Sequence, residues 1–69
     1  MISEQDVYRR ASIMLRDRKP GDALMQAAEM VEACRDRRDT EGRNNWILIT
    51  LAIQELVYER QSPSSRGAA

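Results

Sequence analysis

Histidine is absent from the chain, and cysteine occurs once, at Cys34. Without histidine, a Ser-His-Asp or Cys-His arrangement cannot form, and a zinc site of the usual histidine and cysteine ligands lacks most of its ligands. A single cysteine also excludes a disulfide within the chain. No second thiol can resolve an oxidised Cys34, so we interpret it as a small buried core residue. We therefore expect no enzymatic activity, no metal and no cofactor.

A basic excess and long apolar runs are absent as well. Eleven basic and eleven acidic residues give a formal net charge of zero, whereas nucleic-acid-binding proteins usually carry a basic excess. The longest apolar stretch is far shorter than the roughly 20 residues that span a bilayer. The start MISEQ lacks the basic and then apolar segments of a secretory signal. These patterns predict a cytoplasmic protein that does not associate with membranes.

The small size of the chain limits its stability. Its 69 residues predict one domain at residues 1–61, followed by a tail at residues 62–69. A chain this short buries only about 60% of the surface that its unfolded form exposes. With disulfides and metals excluded, oligomerisation is the simplest additional source of burial. After Arg60 the sequence QSPSSRGAA has no apolar periodicity, which predicts a disordered tail.

Apolar residues repeat at helical spacing in three segments. This pattern predicts an all-α fold, a small three-helix bundle with helices at about residues 4–18, 22–37 and 40–60. In the third helix, Gly42 lies one turn before Trp46 on the same face. Glycine lowers helix propensity by about 1 kcal/mol relative to alanine. We expect close packing against the second helix to offset this cost.

The helix ends are marked by capping residues. Ser3 is the expected N-cap of the first helix, which should end before Pro20 because Lys19 is biased away from the helical conformation. Asp22 is the expected N-cap of the second helix, with Pro20 at the first helical position as the alternative. Asp39 is the expected N-cap of the third helix.

The third helix is apolar on more than one side. Its main apolar side, which should close the core, consists of Trp46, Ile49, Ile53, Leu56 and Val57. A second apolar group lies more than 90° around the helix and consists of Ile47, Leu48, Leu51 and Tyr58. Because a helix that is apolar all round is normally buried all round, we predict that this second group forms an interface with another copy. The alternatives are a third helix wrapped by the other two within a monomer, and a patch for a different cytoplasmic protein.

Basic residues cluster around the turn between the second and third helices. They are Arg35, Arg37, Arg38 and Arg43, and such side chains can contact phosphates in a helix-turn-helix-like arrangement. Acidic residues interrupt the cluster, however, and the third helix is mostly apolar, whereas a helix that reads a DNA groove needs polar side chains. A small nucleic-acid-binding regulator that uses these arginines is therefore the alternative function.

The most specific short element is Asp-x-x-Gly-x-x-x-Trp, formed by Asp39, Gly42 and Trp46. Through this element and the helical spacing of about residues 5–57, the chain resembles a family of short alphaproteobacterial proteins. The resemblance implies a helical fold and a bacterial origin, and it carries over no activity. The family has glycine before the aspartate, where this chain has Arg38. This difference argues against a glycine-type left-handed C-cap on the second helix.

Together these observations predict a non-enzymatic protein–protein interaction module. We expect it to self-associate as a homodimer, and an unknown cytoplasmic protein is the alternative partner. Self-complementary pairing about a two-fold axis is the commonest way in which a small protein covers an apolar patch.

Overall fold

The computed structural model describes residues 2–61. These residues form three helices, which are α1 (Glu4–Asp17), α2 (Pro20–Asp36) and α3 (Thr40–Gln61). The described residues contain no strand, so the predicted all-α, three-helix fold is confirmed. Each predicted helix end lies within two residues of the observed one. The disordered tail predicted for residues 62–69 lies outside the described residues.

The ends of α1 follow from short-range chemistry. The hydroxyl oxygen of Ser3 accepts a hydrogen bond of 3.1 Å from the backbone N–H of Asp6, which confirms Ser3 as the N-cap. At the other end, Arg18 and Lys19 are both extended, with ψ of 167° and 152°. Lys19 precedes a proline, whose ring disfavours the helical conformation at that position. The helix therefore ends at Asp17, one residue before the predicted end.

The expected N-cap at Asp22 is wrong, and the alternative with Pro20 at the first helical position is confirmed, because α2 begins at Pro20. Proline suits the first helical position, where its fixed φ is already helical and its missing N–H has no partner to lose. Lys19 is the N-cap, and its side chain makes no capping hydrogen bond. Asp22 lies in the first turn instead, where its negative charge is favoured by the helix dipole.

Helix α3 is the central element of the fold. Both α1 and α2 pack against α3, and they touch each other much less. The buried cluster takes residues from all three helices, namely Val7, Ala11, Met14, Leu15, Ala23, Ala27, Ile49, Ala52 and Ile53. The predicted main side of α3 is confirmed as buried at Ile49 and Ile53, while its other members, Trp46, Leu56 and Val57, are partly buried against the same cluster.

Candidate interaction surface

The side of α3 that faces away from the core carries two exposed hydrophobic residues. Leu51 is 55% exposed and Tyr58 is 71% exposed. At 100° per residue they lie nearly opposite Ile49 and Ile53, which are buried in the core. Among residues 2–61, only α3 carries two exposed large hydrophobic side chains, since the other two, on α1 and α2, occur singly. We call the surface around Leu51 and Tyr58 the outward side of α3.

The other two residues predicted for this interface are half-buried within the monomer. Leu48 packs against the core cluster and lines a groove with residues of α1. Ile47 lines a groove with Ala28 and Val31 of α2. The neighbouring helices therefore cover Ile47 and Leu48 in part, as the wrapped-helix alternative expects. They leave Leu51 and Tyr58 uncovered.

Two open grooves flank Leu51. The α1–α3 groove has a volume of about 300 Å³, and its apolar lining consists of Ile2, Val7, Leu48, Leu51 and Ala52. The α2–α3 groove has a volume of about 260 Å³, and its lining also includes Leu51. Leu51 is thus an exposed apolar side chain with a groove on either side.

A hydrogen bond joins α1 to α3 beside the α1–α3 groove. The hydroxyl of Tyr8 donates to Oε2 of Glu55 at 2.8 Å, and both residues contribute to the groove lining. This hydrogen bond, partial burial and the charges of Glu55, Glu4 and Glu59 raise the pKa of Tyr8 above its ordinary value. The hydroxyl therefore remains a hydrogen-bond donor throughout the neutral pH range.

At the α2–α3 turn, the structure brings together three of the four predicted arginines. Arg35, Arg38 and Arg43 line a groove of about 260 Å³ together with Asp39 and Thr40. The fourth, Arg37, is not part of this groove, and its Nη2 donates to the sulfur of Cys34 at 3.5 Å. We call the groove lined by Arg35, Arg38 and Arg43 the arginine groove.

The backbone of the α2–α3 turn forms a left-handed helix cap. Arg38 has a φ of 59°, and no other non-glycine residue in the described part of the chain has a positive φ. Its N–H donates to the carbonyl of Arg35 at 3.0 Å, and the N–H of Asp39 donates to the carbonyl of Cys34 at 2.8 Å. These two bonds define a Schellman motif. The left-handed cap is therefore present, although arginine occupies the position that usually holds glycine.

The Asp-x-x-Gly part of the short element has a structural role at this turn. Oδ1 of Asp39 accepts a hydrogen bond of 2.9 Å from the N–H of Gly42, which confirms Asp39 as the N-cap of α3. A methyl group added at Gly42 would collide with the Asp39 carboxylate and lie 3.1 Å from the sulfur of Cys34. The predicted close packing at Gly42 is thus confirmed. Cys34 itself is buried, as predicted.

Within residues 2–61, no group of three or more histidine, cysteine, aspartate or glutamate side chains is placed to hold a metal ion. None of the three helices in this part of the chain combines the length and the apolar character needed to cross a membrane.

Comparison of the chain with family models, with curated proteins and with solved structures gives no match. The resemblance to the alphaproteobacterial family therefore stays a prediction. The surfaces described above are the basis on which a function can be argued.

Proposed function

We propose that the protein is a cytoplasmic, non-enzymatic interaction module that forms a homodimer through the outward side of α3. The observation that supports this proposal is the exposure of Leu51 and Tyr58, at 55% and 71%, on the helix that also carries the centre of the core. Full burial of a leucine side chain stabilises a protein by about 1.5–3 kcal/mol relative to leaving it exposed. A contact that covers both residues on both copies therefore supplies the additional burial that so short a chain needs.

The shape of this surface favours a second copy as the partner. Leu51 projects beside the α1–α3 groove, whose apolar lining includes Leu48 and Ala52. In a two-fold arrangement, Leu51 of each copy can enter the α1–α3 groove of the other, so one surface supplies both the side chain and its receptor. A formal net charge of zero also means that two copies meet without long-range repulsion.

The residue spacing on the outward side matches helix pairing. Ile47, Leu51, Gln54 and Tyr58 follow each other at intervals of four, three and four residues, the spacing of the a and d positions in paired helices. Gln54 is the polar member of this series, and it is exposed. A polar residue within such a seam restricts the register of pairing. We therefore propose that α3 of one copy contacts α3 of the other.

The test compares two hydrophobic-to-glutamate substitutions of similar exposure. Leu51→Glu places like charges in the proposed apolar contact, where burial of an unpaired charge is costly, so this variant should be monomeric. Met25→Glu changes an α2 residue that is 62% exposed and absent from both grooves beside Leu51, so it should remain dimeric like the unmodified protein. Light scattering after size exclusion measures the mass of each form.

Leu51 is more than half exposed in the monomer, so a glutamate at this position should not unfold it. The Leu51→Glu monomer should therefore stay helical, which circular dichroism checks. An unmodified chain that elutes as a monomer at every concentration tested would contradict the proposal. Loss of the dimer in both variants would contradict it too, because the contact would then not depend on the outward side of α3.

A further inference from the structure

We infer that the arginine groove at the α2–α3 turn binds a phosphate group. The three arginines that line it come from different segments of the turn. Arg35 belongs to the last turn of α2, Arg38 is the left-handed cap residue, and Arg43 belongs to the first turn of α3. All three residues line the same groove of about 260 Å³.

Basic residues outnumber acidic residues in the lining of this groove, which consists of Arg35, Arg38, Arg43, Asp39 and Thr40. Arg35 lies 3.7 Å from Glu32, but both side chains are largely exposed, and such surface pairs interact weakly. Three like charges around one groove repel each other, and a bound oxyanion would offset that repulsion.

The one carboxylate in the groove is engaged in capping. Oδ1 of Asp39 accepts the N–H of Gly42 at 2.9 Å, and the carboxylate lies against Gly42. The groove therefore has three positive groups and one negative group whose oxygen is directed to the start of α3. Thr40 adds a hydroxyl donor to the lining, and the start of α3 adds the positive end of a helix dipole.

The backbone conformation at residue 38 does not favour arginine. A φ of 59° is a conformation that glycine adopts without steric cost and that arginine adopts with one. The helix cap alone would therefore favour glycine at this position. Arg38 instead lines the groove together with Arg35 and Arg43. Residues held in strained backbone conformations are concentrated at binding sites, which agrees with a ligand-binding role for Arg38.

The chemistry of the groove suits an oxyanion, and we infer phosphate as that oxyanion. The planar guanidinium group matches the geometry of phosphate oxygens through paired hydrogen bonds. A groove of about 260 Å³ accommodates one phosphate group with a small substituent. The chain has a formal net charge of zero, whereas nucleic-acid-binding proteins usually carry a basic excess. A single phosphate group therefore fits better than a nucleic acid.

The experiment is a titration of the full chain with inorganic phosphate, followed by ¹H–¹⁵N NMR at constant ionic strength maintained with chloride. Saturable shifts are expected at the amides of residues 35–43. Arg38→Gly removes one guanidinium and relieves the strained backbone, so this variant stays folded while its affinity should fall about tenfold. Arg37→Gln removes an equal charge from the same turn but outside the groove, and screening should keep its affinity within about twofold of the unmodified chain.

Three results would overturn the inference. Shifts that grow linearly without saturation would show that phosphate has no site. Equal weakening by Arg37→Gln and Arg38→Gly would show that the general charge of the turn is responsible. Binding of a single-stranded oligonucleotide, with a steep salt dependence and no response to phosphate, would assign the arginines to nucleic acid instead. Leu51 is not in the groove, so Leu51→Glu should bind phosphate like the unmodified chain, whatever its oligomeric state.

Discussion

The two turns of the molecule reverse the chain by different means. Between α1 and α2, the extended residues Arg18 and Lys19 lead directly into Pro20, and no side chain caps α2. Between α2 and α3, a Schellman motif at Arg38 is followed at once by the Asp39 cap. The first turn is thus determined mainly by conformations that proline excludes, and the second by specific hydrogen bonds. We therefore expect the second turn to be the more sensitive to substitution.

The two helical glycines show the same contrast. A methyl group added at Gly21, in the first turn of α2, would meet no atom within 4 Å. A methyl group added at Gly42, in the first turn of α3, would collide with Asp39 and approach Cys34. Neither glycine has a positive φ, so their backbones do not require glycine. The difference between them lies in the space around them, and substitutions at the two turns can test it.

Gly42→Ala should have the largest effect. The new methyl group displaces the Asp39 carboxylate from its capping position, a loss of about 1 kcal/mol, and crowds the buried sulfur of Cys34, at a cost of about 1–3 kcal/mol. The higher helix propensity of alanine recovers up to about 1 kcal/mol. We expect a net destabilisation of about 1–3 kcal/mol in urea unfolding.

Asp39→Ala provides the control for this prediction. If the collision with Asp39 causes part of the cost, Gly42→Ala should be less harmful when Asp39 is already alanine. A double-mutant cycle measures this coupling. Additive effects of the two substitutions would mean that the aspartate does not determine the cost at Gly42.

Arg38→Gly should stabilise the protein by a smaller amount. A left-handed conformation costs a non-glycine residue about 1–2 kcal/mol. The greater freedom of glycine in the unfolded chain reduces the gain by about 0.4–1 kcal/mol. The free energy of unfolding should therefore rise by about 0.5–1 kcal/mol. An unchanged or lower value in urea melts would show that the Arg38 side chain makes stabilising contacts that outweigh the strain.

Gly21→Ala should have the smallest effect, again a stabilisation. The backbone at Gly21 is compatible with alanine and the site has room for its methyl group. The substitution should therefore add about 0.5 kcal/mol by reducing the freedom of the unfolded chain. The thermal midpoint and urea melts of Gly21→Ala and Gly42→Ala should move in opposite directions. Shifts of the same sign would remove the contrast between the two turns.

The features that were predicted from the sequence are mostly local. The caps at Ser3 and Asp39 each involve a side chain and an N–H three residues apart, so the pattern of neighbouring residues contains the whole interaction. The sequence predicted two alternative starts for α2, because Pro20 and Asp22 are both good initiators two residues apart. Proline begins the helix, and the aspartate remains within its first turn.

Features that depend on the relative placement of the helices could not be predicted from the sequence. The periodicity of α3 groups Ile47, Leu48, Leu51 and Tyr58 together, but it does not show that α2 covers Ile47 and α1 covers Leu48 in part. Likewise, no local pattern links Tyr8 to Glu55, which are 47 positions apart.

The arginine groove shows a similar limit. The residue type does not distinguish Arg37 from Arg35, Arg38 and Arg43, although the structure places only the last three in one groove.

The central position of α3 also implies an order of folding. Helices α2 and α3 are adjacent in the chain and joined by a turn with strong local hydrogen bonds, so this pair can form without closing a long loop. Helix α1 reaches α3 only across the whole of α2, and it gains little from α2 itself. We expect the α2–α3 hairpin to form first and α1 to dock last. The α1–α3 groove would then be completed only in the final step of folding, so that an incompletely folded chain lacks the surface proposed to recognise another copy.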